Sequence, residues 1–528
     1  MDGGYVRAAL TDAYQITMAY GHWKHGRAEE KSAFEVIFRR GPFGGPFAVF
    51  AGLEDFLEFV GKFAFNDGDL AFLMKNYPEM DRSFFDWLRN VDTSRVVIRS
   101  VKEGTVVFPM EPLVTVEGPL AVVQLLETAL LNLTNFASLV CTNALRHRIV
   151  AGPKANLVEF GLRRAQGPDG AMTASFYSYA GGVDATSNVL ASELYGIPLR
   201  GTHSHSYVQS YSGEDLAKVN GNIKTPCGES RSLLATTLEH RRRLGWMETN
   251  HGELAAFVSY AQAFPTGFLA LVDTYNTLGS GILNFIMVGM ALVDAGYSPV
   301  GVRLDSGDLA ELSILVREKL KAVAAEDPRY EKLARCTIMA SDNINEESLL
   351  EMNERHHEIN SFGIGTNLVT CQAQPALGLV FKLVEINDRP RMKISGRKST
   401  LPCKKSIIRM YNSSIPKVLD LIVLCDQPLP RLGKESTFYS PTDLNEKIMF
   451  TPESLEPLLS VSYGGTGSGR SFETAEETRS WLRSQLEGSD IISKSINGSS
   501  EPHVALSSEL REVALQVMKQ ELGTAIQG

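Results

Sequence analysis

The feature that most constrains the fold is a series of six short apolar runs in the middle of the chain, each ending in polar or charged residues. The runs are residues 156–161 (NLVEFG), 198–203 (PLRGTH), 268–273 (FLALVD), 300–305 (VGVRLD), 337–342 (TIMASD) and 361–366 (SFGIGT). They lack an alternation of apolar and polar residues, which is typical of strands buried on both faces of a parallel sheet. Segments with helical periodicity, such as residues 308–325 and 345–356, lie between several of them. This order of strands and helices predicts a parallel α/β sheet or barrel.

Polar residues at the ends of these strands indicate one ligand site. In parallel α/β folds, ligands bind where the carboxyl ends of the strands continue into loops. The residues at these ends are Arg163, His205, Asp273, Arg303, Asp305, Asp342 and Gly363. Any one of them could be an ordinary loop residue, but six consecutive ends with polar groups favour a common site.

The regions on both sides have a different pattern. Residues 34–38 and 96–117 read as short antiparallel strands, and a long helical run follows at 120–147. Short strands return after about residue 370. A Ser/Gly-rich linker is predicted at 488–501, before a final helix at 507–523.

Composition narrows the class of protein. The 528 residues are 44% apolar and carry a formal net charge of −9, which argues against a nucleic-acid partner, so local basic residues must hold any anionic ligand. The six cysteines form no C-x-x-C pair, which favours reduced thiols in a cytoplasmic protein and argues against zinc. No signal peptide is visible, and the apolar stretch at 282–293 is too short for a bilayer span, so no membrane association is expected.

Two short segments have the chemistry of a phosphate or sugar site. Residues 302–308 read VRLDSGD, a cation and two carboxylates around a Ser-Gly turn, which could hold a sugar, a phosphate and a divalent metal together. Residues 362–367 read FGIGTN, and the two glycines would let backbone amides approach an anion. The plain alternative for the first segment is a loop with salt bridges.

Two further segments have aromatic or imidazole groups. Residues 202–206 read THSHS, and on a strand His203 and His205 would point to the same side. A metal site is conceivable there, although no third ligand accompanies them and a structural histidine is the ordinary alternative. In residues 159–164 (EFGLRR), Arg163 could grip a small carboxylate while Phe160 stacks on a flat ring. A salt bridge at a helix start is the competing interpretation for Arg163.

Together these segments resemble the nicotinate phosphoribosyltransferases, in the order of that family and over residues 10 to about 410. The matching segments are 10–20 (LTDAYQITMAY), 38–45 (FRRGPFGG), 124–140 (QLLETALLNLTNFASLV), 159–170 (EFGLRRAQGPDG), 185–190 (ATSNVL), 201–206, 271–276 (LVDTYN), 302–308, 341–345 (SDNIN) and 362–367.

The resemblance implies a type II phosphoribosyltransferase fold, in which an irregular, incomplete TIM-like α/β barrel accompanies an α/β domain built from both ends of the chain. It implies a homodimer with shared active sites. We therefore expect an N-terminal domain at 1–140 that completes the partner's active site and is joined by strands from about 371–430. The barrel-like catalytic domain is expected at 141–370, and a C-terminal extension at 431–528.

The resemblance also assigns roles to individual residues. The residues expected at nicotinate are Tyr14 (from the other subunit), Phe160, Arg163, Thr202 and Ser206. Those expected at phosphoribosyl pyrophosphate (PRPP) are Arg303, Asp305, Asp342, Gly363, Gly365 and Thr366. The expected catalytic residues are His205, Arg303 and Asp305, and His205 matches the histidine that ATP phosphorylates in this family.

The activity so implied is ATP-dependent transfer of phosphoribosyl from PRPP to nicotinate, giving nicotinate mononucleotide and pyrophosphate in NAD salvage, with Mg²⁺ or Mn²⁺ as cofactor. Two rivals are a nicotinamide phosphoribosyltransferase and a catalytically silent relative that binds metabolites. Ser187 favours nicotinate over nicotinamide, because the nicotinamide enzymes have an aspartate there that would repel the acid. The intact Arg303, Asp305, Asp342 and His205 favour an enzyme over a silent relative.

The sequence departs from the family in two places. Residues 394–409 (ISGRKSTLPCKKSIIR) have Cys403 where relatives usually have glycine, and a positive φ at that glycine would imply a different loop here. Lys398 and Lys404 in this stretch are candidate pyrophosphate contacts. His203 stands where relatives often have an apolar residue.

Overall fold

A computed structural model describes residues 5–219, 221–394, 398–412, 417–464, 473–487 and 503–525. The chain divides into two compact units, which are treated separately below. The first, here called the parallel-sheet unit, contains Leu145–Tyr179 and Val183–Gln372. The second, here called the discontinuous unit, contains Met1–Ala144, Ala180–Gly182 and Ala373–Gly528.

The strands are numbered in chain order. They are β1 (Lys31–Ile37), β2 (Ala48–Val49), β3 (Val97–Ser100), β4 (Val106–Val107), β5 (Val114–Pro119), β6 (Asn156–Glu159), β7 (Ala185–Thr186), β8 (Asn222–Lys224), β9 (Ser230–Ser232), β10 (Leu269–Leu271), β11 (Gly301–Leu304), β12 (Thr337–Ala340), β13 (Ser361–Ile364), β14 (Val380–Ile386), β15 (Arg389–Pro390), β16 (Lys405–Asn412), β17 (Lys417–Leu424), β18 (Ser436–Tyr439), β19 (Lys447–Phe450), β20 (Ser454–Pro457), β21 (Ser460–Tyr463) and β22 (Val504–Leu506).

The α-helices are numbered in the same way. They are α1 (Ala13–Lys24), α2 (Leu53–Gly61), α3 (Asp67–Asn76), α4 (Arg82–Arg89), α5 (Leu120–Leu125), α6 (Glu127–Ala151), α7 (Gly167–Ala180), α8 (Val189–Tyr195), α9 (His205–Gln209), α10 (Leu233–Leu244), α11 (His251–Ala263), α12 (Ile282–Asp294), α13 (Leu309–Glu326), α14 (Glu331–Ala334), α15 (Glu346–Glu354), α16 (Thr366–Thr370), α17 (Ala475–Glu487) and α18 (Ser508–Ala525).

The parallel-sheet unit is organised around one six-stranded sheet in the order β10-β11-β12-β13-β6-β7, and every neighbouring pair is parallel. Strands β11, β12 and β13 are almost wholly buried, as the continuous apolar runs predict. In the described residues β10 and β7 are the two edges of the sheet, so the barrel is incomplete. The predicted α/β class and the irregular, open barrel are confirmed.

One of the six predicted strands is wrong. Residues 198–203 make a single parallel bridge, from Leu199 to Thr186, and the sixth strand of the sheet is β7 instead. Pro198 has no amide hydrogen for a strand ladder, and Gly201 weakens a strand, which explains why pairing stops there. The segment 201–204 is therefore a loop that leads into α9, and His203 and His205 do not lie on a strand.

Polar caps fix where the helices behind the sheet begin. The Asp308 carboxylate accepts from the backbone N–H of Glu311 at the start of α13, and Asn345 accepts from that of Ser348 at the start of α15. Both capping residues follow a strand end closely. Each cap orients the loop that carries the candidate site residues before it.

Helix α12 contains the apolar run of residues 282–293 and is preceded by a π-helical turn, Thr277–Gly281. Among the described residues, Thr277–Asp294 is the one helical run with the length and composition of a membrane span. Because 67% of it is buried inside the structure, it has the character of a core helix.

The discontinuous unit contains two six-stranded sheets. The first has the order β15-β14-β1-β5-β3-β21, in which β1 near the N-terminus pairs with β14 from the later part of the chain. The second has the order β19-β18-β22-β17-β16-β20. The expected α/β domain from both ends of the chain is thus confirmed. Residues 431–528, expected as an extension, supply strands to both sheets, while the predicted linker at 488–501 lies outside the described residues.

The loop before β16 keeps a left-handed residue at Cys403, whose φ is 66°. The ammonium of Lys405 donates to the carbonyls of Leu401, Pro402 and Cys403 at 3.1, 3.2 and 2.6 Å and pairs with Glu35 at 2.7 Å. These bonds hold the loop, so the cysteine does not prevent a conformation that normally favours glycine.

Candidate active site

The carboxyl ends of the parallel strands bring most of the predicted site residues to one edge of the sheet. Phe160 and Arg163 follow β6, and Asp305 follows β11. The other residues at this edge are Thr202, His205 and Ser206 beyond β7, Asp273 and Thr274 after β10, Arg303 in β11, Ser341 and Asp342 after β12, and Gly363, Gly365 and Thr366 at β13. Tyr14 belongs to the other unit.

Arg303 is the main cation of this edge. Its guanidinium donates to Thr202 Oγ1 at 3.2 Å, lies 3.6 Å from Asp305 Oδ1 and stands 5.7 Å from the centroid of the Phe160 ring. Its Nε–H is buried without a hydrogen-bond acceptor. Burial lowers the pKa of Arg303, and the positive charge of Arg163 lowers it further, against the opposing effect of Asp305. A guanidinium with an unused N–H in a polar recess is suited to an anionic ligand.

Asp273 organises the turn that follows Arg303. Its Oδ2 accepts from the backbone N–H of Asp305 at 2.9 Å and from the Ser306 hydroxyl at 2.6 Å. Its Oδ1 is buried without a donor. The Ser341 hydroxyl donates to Asp305 Oδ1, which fixes the second carboxylate as well. Sequence reasoning placed Asp273 at a strand end but gave it no role, and its signal was the Asp-Thr pair directly after the run in LVDTYN.

His205 is the first residue of α9 and faces this turn. Its Nδ1 is 3.0 Å from Thr274 Oγ1, and its Nε2 is 3.5 Å from Asp305 Oδ2. With 37% of its side chain exposed, the ring is accessible. When Nδ1 carries the proton and donates to Thr274, the Nε2 lone pair is available as a nucleophile.

His203 has a structural role instead. It is buried, its Nε2 accepts from the Leu271 N–H at 3.4 Å, and its Nδ1 lies 3.4 Å from the Ser204 carbonyl, to which it donates. This pattern requires the neutral ring, and burial lowers the pKa of His203 to about 4. Among the described residues, no group of three or more His, Cys, Asp or Glu side chains is arranged for a metal ion.

The position of the Phe160 ring is set by the residue before it and by Gly363, which lies against the ring. The buried Glu159 carboxylate accepts from the Gly161 N–H and from the Ser175 and Thr186 hydroxyls. On the other side, a Cβ at Gly363 would lie 2.5 Å from Cδ2 of the Phe160 ring. Glycine at this position is therefore required for the ring to occupy its place beside Arg303.

Asp342 adds a third carboxylate to this edge. Burial raises the pKa of Asp342, and the negative charges of Asp305 and Asp273 raise it further. Asn343, in the left-handed region with φ of 46°, donates to Asp342 Oδ1 at 2.8 Å. Carboxylates that repel one another in this way are suited to sugar hydroxyls or to a cation.

The discontinuous unit carries Tyr14 and the basic stretch. Tyr14 is 48% exposed and lines a cavity of about 330 Å³ with Asp12, Glu127 and Phe136. Burial raises the pKa of Tyr14, and Glu127 adds to this effect. The Lys404 ammonium lies 3.1 Å from Glu117 and 3.7 Å from Glu385, so two carboxylates already neutralise this candidate pyrophosphate contact.

Comparison with known proteins assigns the chain to a family. Three family models match in chain order: the nicotinate phosphoribosyltransferase (NAPRTase) N-terminal domain at 9–135, the NAPRTase family at 249–419 and the nicotinate phosphoribosyltransferase C-terminal domain at 404–514. The chain is 48% identical over 469 residues to a nicotinate phosphoribosyltransferase of Dictyostelium discoideum, covering 87% of this chain and 79% of that protein. The crystal structure of the human nicotinic acid phosphoribosyltransferase is similar with a TM-score of 0.85 and 40% identity, covering 96% of this chain and 99% of that one. The human protein, compared by sequence, is 45% identical and covers 86% of both chains. The chain belongs to the nicotinate phosphoribosyltransferase family.

Proposed function

We propose that this enzyme transfers phosphoribosyl from PRPP to nicotinate in NAD salvage, consumes ATP and releases nicotinate mononucleotide and pyrophosphate. The observation that carries the proposal is Arg303, which combines an unused buried N–H with a place between the Phe160 ring and Asp305. An aromatic face, a guanidinium and a carboxylate at one strand edge are the groups that a flat acid and a sugar diphosphate require.

The base would bind against Phe160. The positive charge of Arg163 is close enough to lower the pKa of Arg303. This proximity supports a role for Arg163 in attracting the nicotinate carboxylate. Thr202 and Ser206 lie on the loop and helix beside it and offer hydroxyl contacts. The half-buried Ser187, whose N–H donates to the Glu159 carbonyl at 2.9 Å, presents no negative charge to repel the acid.

PRPP would bind along the neighbouring strand ends. Arg303 would bind the pyrophosphate, Asp305 and Asp342 the ribose hydroxyls, and Gly363, Gly365 and Thr366 the 5′-phosphate. The pyridine nitrogen attacks C1′ as the C1′–O bond to pyrophosphate breaks, and the two carboxylates stabilise positive charge that develops on the ribose. Alignment of the two substrates can supply about 7–11 kcal/mol.

A divalent cation fits this arrangement when it arrives with the pyrophosphate. Asp305 and Asp342 provide carboxylate oxygens at the strand ends, but no group of three such side chains surrounds a common point among the described residues. Mg²⁺ commonly binds through one or two carboxylates together with substrate phosphates and water. When bound, Mg²⁺ or Mn²⁺ would neutralise the leaving pyrophosphate.

His205 is the residue through which ATP would drive the reaction. Its Nδ1 is held by Thr274, which leaves Nε2 to attack the γ-phosphorus of ATP as the bond to ADP breaks. Hydrolysis of the phosphohistidine returns Nε2 and releases inorganic phosphate.

The assembly and location belong to the same proposal. The exposed ring of Tyr14 is available to stack on a pyridine bound to a second copy, so we propose a homodimer with shared active sites. Analytical ultracentrifugation, and a Tyr14→Ala variant with raised KM for nicotinate, would test this. The reduced cysteines and net charge of −9 favour a cytoplasmic enzyme.

The test of the ATP step compares the protein with its His205→Ala variant. Each is incubated with nicotinate, PRPP and Mg²⁺, with and without ATP, and mononucleotide and ADP are quantified. We expect the variant to lose both the ATPase activity and the stimulation by ATP, while a slower ATP-independent transfer remains because the PRPP residues are intact. Retention of ATPase activity and ATP stimulation by the variant would show that His205 is not phosphorylated.

A further inference from the structure

Glu253 is a buried carboxyl group that the proposed mechanism does not use. It lies in the first turn of α11, and the residue has no exposed surface. Its Oε2 accepts from the Ser280 hydroxyl at 2.5 Å and from the Asn284 amide at 2.9 Å. Its Oε1 is buried with no donor. Burying a carboxyl group with an unused oxygen costs free energy, so such a group calls for a functional explanation.

The two partners of Glu253 belong to the turn that connects the site loop to α12. Ser280 lies in the π-helical turn Thr277–Gly281, and Asn284 lies in the first turn of α12. The backbone of Asn250 joins the same network, because its N–H donates to Ser280 Oγ at 2.9 Å and its carbonyl accepts from Asn284 at 3.0 Å. Turns of π type occur frequently at functional sites. Hydrogen bonds with Asn250 and Glu253, at the start of α11, therefore hold the turn Thr277–Gly281 in place.

The clamped turn is packed directly on the strand end that carries the site. A Cβ at Gly281 would lie only 1.8 Å from the Val272 carbonyl oxygen, so the two backbones touch. Val272 is followed at once by Asp273 and Thr274. Asp273 accepts from the Asp305 N–H, and Thr274 is the partner of His205 Nδ1. A displacement of the turn would therefore displace both contacts.

We propose that Glu253 is a positioning residue for the reaction: its carboxyl group anchors the turn 277–281 through Ser280 and Asn284, and so sets Asp273 and Thr274 against Asp305 and His205. This inference rests on the proposed function. It assigns Glu253 no contact with substrate, so its loss should lower the rate of the chemical and ATP-coupled steps more than it weakens substrate binding.

The charges around Glu253 give the proposal a pH signature. Burial raises the pKa of Glu253 to about 7, and the negative charge of Asp273 adds to this effect. The groups that face Glu253 are the neutral Ser280 of the turn 277–281 and Asn284 of α12. The hydroxyls of Tyr207 and Tyr211 contact Ser259 further along α11. Ser280 and Asn284 both donate to Oε2 and act to lower this pKa, an effect larger than the repulsion from Asp273, so ionisation of Glu253 strengthens the anchor. We therefore expect the rate of the unmodified enzyme to rise as pH rises through about 7.

The experiment uses the full chain with Glu253→Gln, Glu253→Ala and Ser280→Ala. Glu103→Gln serves as a matched control, because Glu103 is also buried and caps α2 through the Gly52 and Leu53 amides, at 2.7 and 2.8 Å. We measure kcat and KM for nicotinate and PRPP with ATP, from about pH 6 to about 8.5. Thermal unfolding of each variant accompanies the kinetics.

We expect Glu253→Ala to lower kcat about 100-fold with KM values changed less than about threefold. Glu253→Gln should recover most of kcat, because the amide oxygen still accepts from Ser280 and Asn284, but should lose the rise in rate near pH 7. The Glu253→Ala and Ser280→Ala effects should be non-additive in the double variant, since both break one network. Glu103→Gln should lower stability without changing kcat.

Several outcomes would overturn the proposal while the proposed function stands. In each, the unmodified enzyme is active. The first is a Glu253→Ala variant with normal kcat, and the second is a Glu253→Gln variant whose pH profile is unchanged. The third is a Glu103→Gln variant that loses as much kcat as Glu253→Ala does. If Glu253→Ala does not fold, the pH profile of Glu253→Gln and the kcat of Ser280→Ala decide. An unmodified enzyme that forms no mononucleotide would instead refute the proposed function.

Discussion

Two arginine–carboxylate clusters, one in each unit, differ in how completely their hydrogen bonds are satisfied. In the discontinuous unit, the Arg409 guanidinium binds Asp420 at 2.8 and 2.6 Å and donates to the Val106 carbonyl at 2.7 Å, and both charged residues are buried. In the parallel-sheet unit, Arg303 stands 3.6 Å from Asp305, and its Nε–H has no acceptor. Neither Arg409 nor Asp420 has a buried polar atom without a partner, whereas Arg303 and the neighbouring Asp273 each have one.

The difference separates a cluster that holds the fold from one that is prepared for ligands. A buried ion pair whose hydrogen bonds are all made has no donor or acceptor left for a ligand. Removing one partner leaves the other as an unpaired buried charge. The strand-edge cluster keeps unused groups on Arg303 and Asp273, and the half-exposed His205 lies beside them. A substrate that accepts from the Arg303 Nε–H and donates to Asp273 Oδ1 would satisfy both buried groups.

The sharpest test of this comparison exchanges each arginine for methionine. Arg303→Met should lower kcat/KM for PRPP about 1000-fold, because it removes the proposed donor to the leaving pyrophosphate, while changing the free energy of unfolding by less than about 1 kcal/mol. Arg409→Met should destabilise the protein by about 3–5 kcal/mol, because Asp420 is left as an unpaired buried charge.

Steady-state kinetics and urea unfolding of both variants provide the measurements. The comparison fails if Arg303→Met destabilises the protein as much as Arg409→Met does. It also fails if the Arg409→Met protein, while folded, loses kcat/KM to the same extent.

A second prediction concerns the shape of the open site. Gly363→Ala would place a Cβ at 2.5 Å from the Phe160 ring and push the ring away from Arg303. We expect kcat/KM for nicotinate to fall about 100-fold, since misplacement of a substrate-positioning group by about 1 Å has effects of this size. Substitution of Gly170, which has room for a methyl group at 3.6 Å from its neighbour, is the control, and equal activity of the two variants would contradict the account.

The smallest predicted effect concerns Cys403, in the loop that Lys405 holds in place. Cys403 holds φ at 66°, which costs a residue with a Cβ about 1 kcal/mol relative to glycine. Cys403→Gly should therefore raise the free energy of unfolding by up to about 1 kcal/mol without changing kcat, as measured by urea unfolding and the transferase assay. A loss of stability would show that the packing of the half-buried thiol outweighs the relief of backbone strain.

The parts of the fold that depend on local pattern could be predicted from the sequence. Helices α13 and α15 begin at the caps Asp308 and Asn345, and β11 and β12 coincide with the apolar runs that precede them. Residues 198–203 are predicted as a strand by periodicity but make only one bridge, because Pro198 has no amide hydrogen and Gly201 weakens a strand.

The site could be predicted as a set of residue types at strand ends, but not as a network. The two histidines are equivalent in the sequence THSHS. In the structure His203 is packed against Tyr207 and Tyr260, whereas His205 remains accessible. The roles of Asp273 and Glu253 depend on contacts between segments distant in sequence, such as Ser280 with Glu253. The family resemblance supplied roles only for residues that match its segments.

The most direct measurement of the central claim is a competition between two bases. Purified protein is incubated with PRPP, Mg²⁺, ATP and equal concentrations of nicotinate and nicotinamide, and the two mononucleotides and ADP are quantified. We expect nicotinate mononucleotide in large excess with accompanying ADP, because the proposed roles of Arg163 and the uncharged Ser187 favour the acid. Nicotinamide mononucleotide in excess, or no mononucleotide from a folded protein, would contradict it.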